Sequence, residues 1–404
     1  MSEKSPIQRP IQIFIHTGEV SGDLQGGLLI EALKRQAQKR SLEIDITAVG
    51  GQRMDDAGAR VIANTVRLSA IGIFEALPYY IKGRSLQKKV NQYLLQHPPD
   101  LMVLLDYMGG NIPAGKFIRQ HLPNTPIVYY IAPQQWVFAT QRDTQNVLDV
   151  SDKLLAIFPE EATYYKNAGA NVRWVGHPLV DILAEPMSKQ TARDQLKITR
   201  EAQVVTLLPA SRKQELVYIM PVMFEAAARM QAKQAEKGQS LRFLIPVSLP
   251  DFRDDIKTAA DSYELNARLV DKADGQRAIA AADVVINKSG TVNLEVALMN
   301  VPQVVTYRLS NLTALIAKYI IRFTGDYVSP VNLMENQPIV PELLQWDATP
   351  AAISEAALAL LNDEAKRQEM LAGYAQMKRA MGEVGVCERA ANEMLDMLLP
   401  SQRD

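Results

Sequence analysis

The sequence has few residues that could build a metal site or a disulfide framework. Its 404 residues include one cysteine, Cys387, and four histidines, and the histidines lack the spacing of metal ligands. A lone cysteine excludes an intramolecular disulfide and a cysteine-rich metal centre, and it is typical of a reducing compartment. We therefore expect no bound structural metal.

Net charge and long apolar runs are also missing. With 44 basic and 45 acidic residues the formal net charge is -1, so no global field attracts nucleic acid and any anion site must be local. Residues 1–10 contain no apolar signal-peptide core, and no run of about 18 uncharged apolar residues occurs. We expect a protein that is neither exported nor membrane-spanning and that binds no nucleic acid.

The common nucleotide-binding fingerprints are absent from the first turn of the chain. The apolar run 11–16 predicts a buried strand, and a glycine-containing turn at 17–27 leads into a helix. The glycines do not follow the Gly-x-Gly-x-x-Gly spacing, and the Gly-Lys-Ser/Thr ending of a P-loop is missing. NAD and ATP are therefore not supported and we expect no cofactor, although strand, turn and helix in this order open a doubly wound α/β domain.

The same alternation of apolar runs and helical stretches recurs along the chain and restarts near residue 204. The period is typical of parallel sheets, and 404 residues exceed what one core usually supports, so we predict two doubly wound α/β domains. Residues 216–237 are predicted to form one helix. The predicted strands are 11–16, 46–49, 101–105, 127–131, 154–158, 172–175, 204–208, 243–247, 268–270, 284–286 and 303–307.

Polar side chains follow two predicted strands of the first half, at the edge where open α/β sheets bind ligands. Glu19, Ser21 and Asp23 follow the first strand, and Asp106 follows the strand 101–105 beside a Gly-Gly turn. A carboxylate at such a strand end is placed to act as a general base. Structural alternatives stay open, because Asp23 could cap a helix and Asp106 could be a cap or a loop carboxylate.

Three further features of the first half have both a functional and a structural interpretation. Trp136 could pack against a sugar face or an acyl chain, or it could belong to the core. His177, in a Gly-His-Pro segment at the predicted domain boundary, fits a polar hinge contact rather than a catalyst. Residues 71–90 combine aromatic and basic side chains, which suits a membrane-surface patch or one face of a packed helix.

Two turns of the second half are suited to anions. Arg212 stands at the entrance of a helix after the strand 204–208, where a guanidinium can bind phosphate oxygens in a fork. Ser289, Gly290 and Thr291 follow a later strand; either hydroxyl could cap the next helix, and Gly290 lets a ligand approach the backbone.

Glu295, one turn into that next helix, could accept hydrogen bonds from a pair of ligand hydroxyls such as those of a ribose. Taken singly, a solvated arginine and an ordinary capped helix with an exposed glutamate explain these residues as well. Both turns fall at the same edge of one predicted sheet. Their combination therefore predicts a nucleotide diphosphate site.

These motifs, in this order, resemble the lipid-A-disaccharide synthase family of inverting glycosyltransferases. The match runs over nearly the whole chain, and the set as a whole is highly specific. The motifs are Gly18-Glu19-x-Ser21-Gly22-Asp23, Val49-Gly50-Gly51-x-x-Met54, Gly72-x-x-Glu75, Asp106 with Asn111, Pro133-x-x-Trp136, Gly176-His177-Pro178, Ser211-Arg212-x-x-Glu215, Ser289-Gly290-Thr291-x-x-Leu294-Glu295 and Val340-Pro341-Glu342-Leu343-Leu344-Gln345.

The resemblance implies a GT-B architecture, in which two Rossmann-like domains face each other across a cleft. It implies an acceptor-side domain at 1–185, a UDP-sugar-binding domain at 186–348, and C-terminal helices at 349–404 that pack on the first domain or on a partner subunit. The implied reaction transfers 2,3-diacylglucosamine from UDP to the 6-hydroxyl of 2,3-diacylglucosamine 1-phosphate and yields a β-1,6 disaccharide. Such an enzyme would act in the cytoplasm, peripherally on the inner face of the membrane, and could be a homodimer.

The residues that the resemblance implies for the site fall into three groups. Asp106 resembles the proposed general base, and Glu19 is a second catalytic candidate. The UDP-sugar group has Arg212 on the diphosphate and Glu295 on the ribose, and it comprises Ser211, Arg212, Ser289, Gly290, Thr291 and Glu295. The acceptor group comprises Ser21, Asp23, Asn111, Trp136 and His177.

The chain departs from the family pattern in three places. Where the family usually has Asp-x-Pro-x-Phe-Asn and Ser-Pro-x-x-Trp-Ala-Trp-Arg, residues 106–111 and 132–139 read Asp-Tyr-Met-Gly-Gly-Asn and Ala-Pro-Gln-Gln-Trp-Val-Phe-Ala, and Gly-Ser-Arg appears as Ala-Ser-Arg at 210–212. The first two changes bear on the acceptor more than on the donor. The alternatives are a UDP-sugar enzyme with another lipid acceptor, an epimerase of related architecture, and a non-catalytic lipid- or nucleotide-binding paralogue.

Overall fold

The computed structural model of the chain describes residues 9–18, 20–65, 76–106, 108–132, 141–310 and 327–399, with the backbone alone at residues 20 and 76–84. The chain forms two compact units. Unit 1 consists of Met1–Asp181 together with Met381–Asp404, and unit 2 consists of Ile182–Ala380. The domain boundaries implied by the family resemblance stay a prediction.

Unit 1 contains a parallel sheet of seven strands. The strands are β1 Ile11–His16, β2 Ile44–Gly50, β3 Arg60–Asn64, β4 Leu101–Leu105, β5 Ile127–Tyr130, β6 Lys153–Ala156 and β7 Val172–Trp174. Their order is β3-β2-β1-β4-β5-β6-β7. All five side chains of β4 are buried, which is typical of a central strand in a parallel sheet covered on both faces.

Helices alternate with these strands. They are α1 Val20–Lys39, α2 Gln52–Asp56, α3 Ala76–Gln96, α4 Met108–His121, α5 Gln141–Val150, α6 Pro159–Asn167 and α7 Leu179–Ile182. The core between sheet and helices includes Phe14, Leu104, Tyr129 and Val147, each at most 2% exposed. Burial of such side chains is the main favourable contribution to the stability of the unit.

Unit 2 repeats the plan with six parallel strands. The strands are β8 Gln203–Leu208, β9 Leu241–Pro246, β10 Ala267–Val270, β11 Val284–Lys288, β12 Gln303–Tyr307 and β13 Glu342–Leu344. Their order is β10-β9-β8-β11-β12-β13. Because β8 and β11 pair directly, with Leu208 opposite Asn287, the turns that follow these two strands are neighbours.

The helices of the second half include a break that the sequence pattern did not predict. They are α8 Lys189–Leu196, α9 Lys213–Tyr218, α10 Met220–Ala235, α11 Arg253–Ser262, α12 Gly275–Ala281, α13 Val292–Leu298, α14 Pro330–Glu335, α15 Pro350–Asn362, α16 Glu364–Met381 and α17 Val386–Asp396. The single helix predicted over 216–237 is wrong, because Pro221 occupies the start of α10. Proline lacks a backbone N–H, so it is tolerated in the first turn of a helix and disfavoured in its interior.

The last helix, α17, belongs to unit 1 and packs on α1. Asp181 holds its beginning, because the Asp181 carboxylate accepts the backbone N–H groups of Gly385, Val386 and Cys387 at 2.7, 3.0 and 2.8 Å. These donors would otherwise have no partner within the helix. Asp181, the last residue of the first segment of unit 1, thus holds the start of α17 in the second segment.

Both sheets change direction at the equivalent point, between β1 and β4 in unit 1 and between β8 and β11 in unit 2. Open α/β sheets bind ligands beside this point, at the carboxyl ends of the strands. Ser21 and Asp106 lie there in unit 1, and Arg212 and Ser289 lie there in unit 2. The prediction of two doubly wound α/β sheets is confirmed.

Candidate active site

Asp106 lies at the carboxyl end of β4, beside the first turn of α1. Its backbone is left-handed, with a φ of 62°, a conformation that aspartate adopts more readily than most residues. The Tyr129 hydroxyl donates to the Asp106 carbonyl at 2.9 Å, and the Ser21 hydroxyl donates to its carboxylate at 2.8 Å. The structure thus brings two predicted site residues together and orients the carboxylate.

Asn111 is fully buried in the first turn of α4 and connects that turn to β1. Its side-chain amide donates to the Leu105 carbonyl at 3.0 Å, and its oxygen lies 2.7 Å from Nδ1 of His16. Burial lowers the pKa of His16, so the neutral ring donates from Nδ1 to the amide oxygen, which can only accept. No motif points to His16 except its place at the end of the first strand.

Asp23 is buried, and its carboxylate accepts hydrogen bonds from the start of α2. The donors are the backbone N–H groups of Gly51 at 2.8 Å and of Arg53 and Met54 at 3.2 Å. A carboxylate in this position satisfies unpaired donors and interacts favourably with the helix dipole. The cap interpretation fits these contacts, but the capped helix is α2 and not the helix α1 that contains Asp23.

His177 is buried next to the start of α7. Its Nδ1 accepts the N–H of Leu179 at 3.1 Å, and its backbone N–H donates to the Met381 carbonyl at 2.8 Å. Burial lowers the pKa of the His177 ring to about 3, so the ring stays neutral at physiological pH. Glu19 and Trp136, the other predicted residues of this half, lie outside the described residues.

A buried carboxylate that no motif assigned to the site lies in the first turn of α6. Glu161 accepts the N–H groups of Ile157 and Phe158 at 2.9 and 3.3 Å. Burial raises the pKa of Glu161 to about 8 against the lowering effect of these N–H groups, and the charge of Asp106 adds a smaller increase. Glu161 lies three residues after Phe158, the residue that precedes α6. This is the glutamate position of a capping box, and it is the signal that the sequence offers for this residue.

In unit 2 one buried carboxylate holds the turn after β8. Glu215, 5% exposed, accepts at Oε2 the backbone N–H groups of Ser211 and Arg212 at 2.6 and 3.0 Å. The Ser211 hydroxyl lies 3.3 Å from the same oxygen. The backbone of the turn is therefore fixed, while the Arg212 residue is exposed at its end.

The second oxygen of Glu215 reaches the turn after β11. Its Oε1 lies 3.2 Å from Nζ of Lys288, and the two side chains are only 7% and 15% exposed. One carboxylate therefore joins the two turns that were predicted to bind a diphosphate. Lys288 was absent from that prediction, although it directly precedes Ser289 in the sequence.

The turn at Ser289 is not closed by a hydroxyl cap, which corrects the prediction for Ser289 and Thr291. The Ser289 hydroxyl donates to the Val328 carbonyl at 3.0 Å, and the Thr291 side chain makes no cap hydrogen bond to α13. Asn293 closes the turn instead. Its Oδ1 accepts the Gly290 N–H at 2.9 Å, and its side-chain amide donates to the Lys288 carbonyl at 2.9 Å. An amide can accept and donate at once through two different atoms.

Six predicted UDP-sugar residues thus stand at two adjacent strand ends or one helical turn beyond. Glu295 lies in the first turn of α13 and is partly exposed. Ser211 and Arg212 follow β8, and Ser289, Gly290 and Thr291 follow β11. Among the residues that the structure describes, no group of three or more His, Cys, Asp or Glu could hold a metal.

The predicted membrane patch at 71–90 lies partly outside the described residues, which resume at the start of α3. Within α3, Lys88 and Lys89 are exposed. No helix in the described part of the chain is long and apolar enough to cross a membrane.

Solved structures define the fold class of the chain. A complex of S. aureus MnaA with UDP has a TM-score of 0.68 at 15% identity, with 96% of this chain and 97% of that chain covered. A. baumannii MurG has a TM-score of 0.56 at 14% identity, with 96% and 100% covered. At such identities the likeness shows the fold alone, which is the predicted GT-B fold of two Rossmann-like units.

The family follows from the sequence relatives. The family model for lipid-A-disaccharide synthetase matches residues 13–395, and the chain belongs to this family. The lipid-A-disaccharide synthase of Gloeothece citriformis is 47% identical over 387 residues, which cover 96% of this chain and 100% of the relative. The chain is therefore a UDP-sugar-dependent glycosyltransferase, as predicted, and the epimerase and non-catalytic alternatives are not favoured.

We expect Glu161→Gln to reduce the pH dependence of stability between about pH 4.5 and 8. The pKa of Glu161 is about 8 in the folded protein against an ordinary value of 4.5, so the folded state keeps a proton that the unfolded chain releases. Stability from this group is therefore present below pH 4.5 and lost as the pH rises towards 8. Denaturant unfolding across this range measures the effect.

The control is Glu160→Gln at the exposed neighbouring position. It should leave the pH dependence of the unfolding free energy as in the wild type. An unchanged slope in Glu161→Gln would show that Glu161 does not titrate in this range.

Proposed function

We propose that the chain transfers 2,3-diacylglucosamine from UDP to the 6-hydroxyl of 2,3-diacylglucosamine 1-phosphate, with inversion, and forms the β-1,6 disaccharide of lipid A precursors. Membership of the lipid-A-disaccharide synthetase family supports this reaction. One observation carries the proposed site. The Glu215 carboxylate accepts the backbone N–H of Arg212 in the turn after β8 and pairs with Lys288 just before the turn after β11.

Unit 2 is the proposed donor unit. Arg212 binds the diphosphate with charge-assisted hydrogen bonds, and the turn of Ser289, Gly290 and Thr291 approaches the phosphates with its backbone. Glu295, one turn further along, accepts hydrogen bonds from the ribose hydroxyls. As the sugar leaves, negative charge grows on UDP, and positive groups fixed in place beforehand stabilise that charge without reorganising.

Unit 1 is the proposed acceptor unit, with Asp106 as the general base. The carboxylate removes the proton of the attacking 6-hydroxyl, and the oxygen then attacks the anomeric carbon from the face opposite UDP. The Ser21 hydroxyl donates to one oxygen of this carboxylate at 2.8 Å and orients it. Asn111 holds the turn after β4 through its hydrogen bond to the Leu105 carbonyl. The proposed acceptor side also includes Asp23 and His177, which hydrogen-bond backbone groups. Glu19 and Trp136 are included on the family resemblance.

The proposed setting is the inner face of the cytoplasmic membrane, where the enzyme binds peripherally and takes acylated substrates. The exposed Lys88 and Lys89 of α3 support an electrostatic contribution to that binding. A homodimer is part of the same proposal and rests on the family resemblance alone.

We expect Arg212→Ala to weaken UDP binding and donor use by about ten- to hundredfold, because a charge-assisted hydrogen bond contributes about 1.5 to 3 kcal/mol. Calorimetric titration with UDP and steady-state kinetics measure the change. Arg229→Ala is the matched control, since Arg229 is exposed and pairs with Glu225 within α10. Normal UDP affinity in Arg212→Ala would remove Arg212 from the donor site.

We expect the wild type to form a disaccharide from UDP-diacylglucosamine and diacylglucosamine 1-phosphate, and Asp106→Asn to lower the turnover about 10²- to 10⁴-fold. Asparagine keeps the shape and tolerates the left-handed backbone, but it has no basic form near neutral pH. Mass spectrometry of the products measures both results.

UDP affinity of Asp106→Asn should stay near that of the wild type, and Asp45→Asn on an exposed position of β2 is the control for folding and turnover. Near-normal turnover in Asp106→Asn would show that another residue is the general base. An epimerised sugar without a disaccharide would overturn the proposed reaction itself.

We expect Lys88→Glu with Lys89→Glu to weaken binding to vesicles of anionic phospholipid, because each basic residue near such a surface contributes about 1 kcal/mol. Flotation of the full chain with anionic vesicles and with phosphatidylcholine vesicles measures the effect. The control is Lys233→Glu with Lys237→Glu, which reverses two exposed charges in unit 2. Equal flotation of all three proteins would exclude α3 from the membrane surface.

A further inference from the structure

Lys288 is a nearly buried cation at the carboxyl end of β11, and no motif or proposed role has so far used it as a ligand. Its side chain is 15% exposed, and its Nζ lies 3.2 Å from Glu215 Oε1. Nζ also lies 3.3 Å from the position that a β-carbon on Gly290 would occupy. The ammonium group is therefore held against the open face of the glycine in the turn.

The ammonium group has capacity left after its contacts with the protein. Of its three N–H donors, one faces Glu215, and a second has only a long contact of 3.5 Å with the Ser289 carbonyl. A weak hydrogen bond of this length is readily exchanged for a stronger one to an anion. Lys288 can thus bind an acceptor on a ligand while keeping its contact with Glu215.

The surrounding charges favour an anion at this place. Glu215 also accepts the backbone N–H of Arg212 at 3.0 Å, so one carboxylate contacts both the turn that contains Arg212 and the ammonium group of Lys288. Tyr307, at the end of the adjacent strand β12, belongs to the same surroundings, because burial and the charge of Glu215 raise its pKa while Arg212 lowers it. Lys288 offsets the charge of Glu215, and the exposed guanidinium of Arg212 adds a positive charge at the same place, which complements a diphosphate.

We propose that Lys288 is a second cationic ligand of the donor diphosphate and that Glu215 is the residue that positions it. This inference rests on the proposed donor site and adds a residue to it. Arg212 then binds the diphosphate from the turn after β8 and Lys288 from the turn after β11. The competing explanation is that Lys288 serves only as the counter-ion of a buried carboxylate.

A double-mutant cycle separates these explanations. Lys288→Met keeps the length of the side chain and removes the charge, and Glu215→Gln removes the carboxylate that would need a counter-ion. UDP and uridine affinities of the full-length wild type, both single variants and the double variant are measured by calorimetry and ligand-observed NMR. Thermal unfolding checks that each variant is folded, and Lys288→Gln replaces Lys288→Met if the latter is not.

If Lys288 contacts the diphosphate, Lys288→Met binds UDP about ten- to hundredfold more weakly than the wild type, while uridine affinity is unchanged. In the Glu215→Gln background Lys288 keeps its charge and loses the residue that positions it, so the loss of UDP affinity is smaller but still present. Three results would overturn the proposal: unchanged UDP affinity, equal losses for UDP and uridine, or a loss that disappears in the Glu215→Gln background. If the wild type does not bind UDP, the proposed donor site itself is wrong.

Discussion

The proposed donor site depends on the contacts of the Glu215 carboxylate. One oxygen fixes the backbone of the turn after β8, and the other holds the ammonium group that precedes the turn after β11. A buried carboxylate is costly unless it is paired and hydrogen-bonded, and this arrangement supplies both an ion pair and backbone hydrogen bonds. The positions of Arg212 and Lys288 are therefore coupled, and a ligand that moves one turn changes the environment of the other.

The fold was largely predictable because parallel strands are short, apolar and regularly spaced. The predicted strands 11–16, 101–105 and 303–307 agree with β1, β4 and β12, and the other predicted strands differ from the observed ones by a few residues at their ends, where periodicity is least informative. The failures were local. The pattern over 216–237 predicted one helix, although the chain has a break before Pro221. The hydroxyls of Ser289 and Thr291 were predicted to cap a helix, whereas Asn293 closes the turn.

The arrangement of the proposed site residues was predictable only at strand ends. Topology brings Ser21 to Asp106 and places Arg212 at the edge of its sheet, as the sequence indicated. The contribution of Lys288 depends on an ion pair with a residue far away in the sequence, and the raised pKa of Glu161 depends on burial. Neither property can be deduced from local pattern, because an identical lysine or glutamate on an exposed face would have the same sequence neighbours.

The placement of α17 has a consequence for synthesis of the protein. Unit 1 is completed by residues from both ends of the chain, while unit 2 is one continuous segment between them. During translation the sheet of unit 1 leaves the ribosome before unit 2, but the partners of Asp181 and of Arg35, including Glu388, leave after it. The nascent first unit therefore keeps one face of α1 uncovered while unit 2 is made, and α17 is the element that covers it.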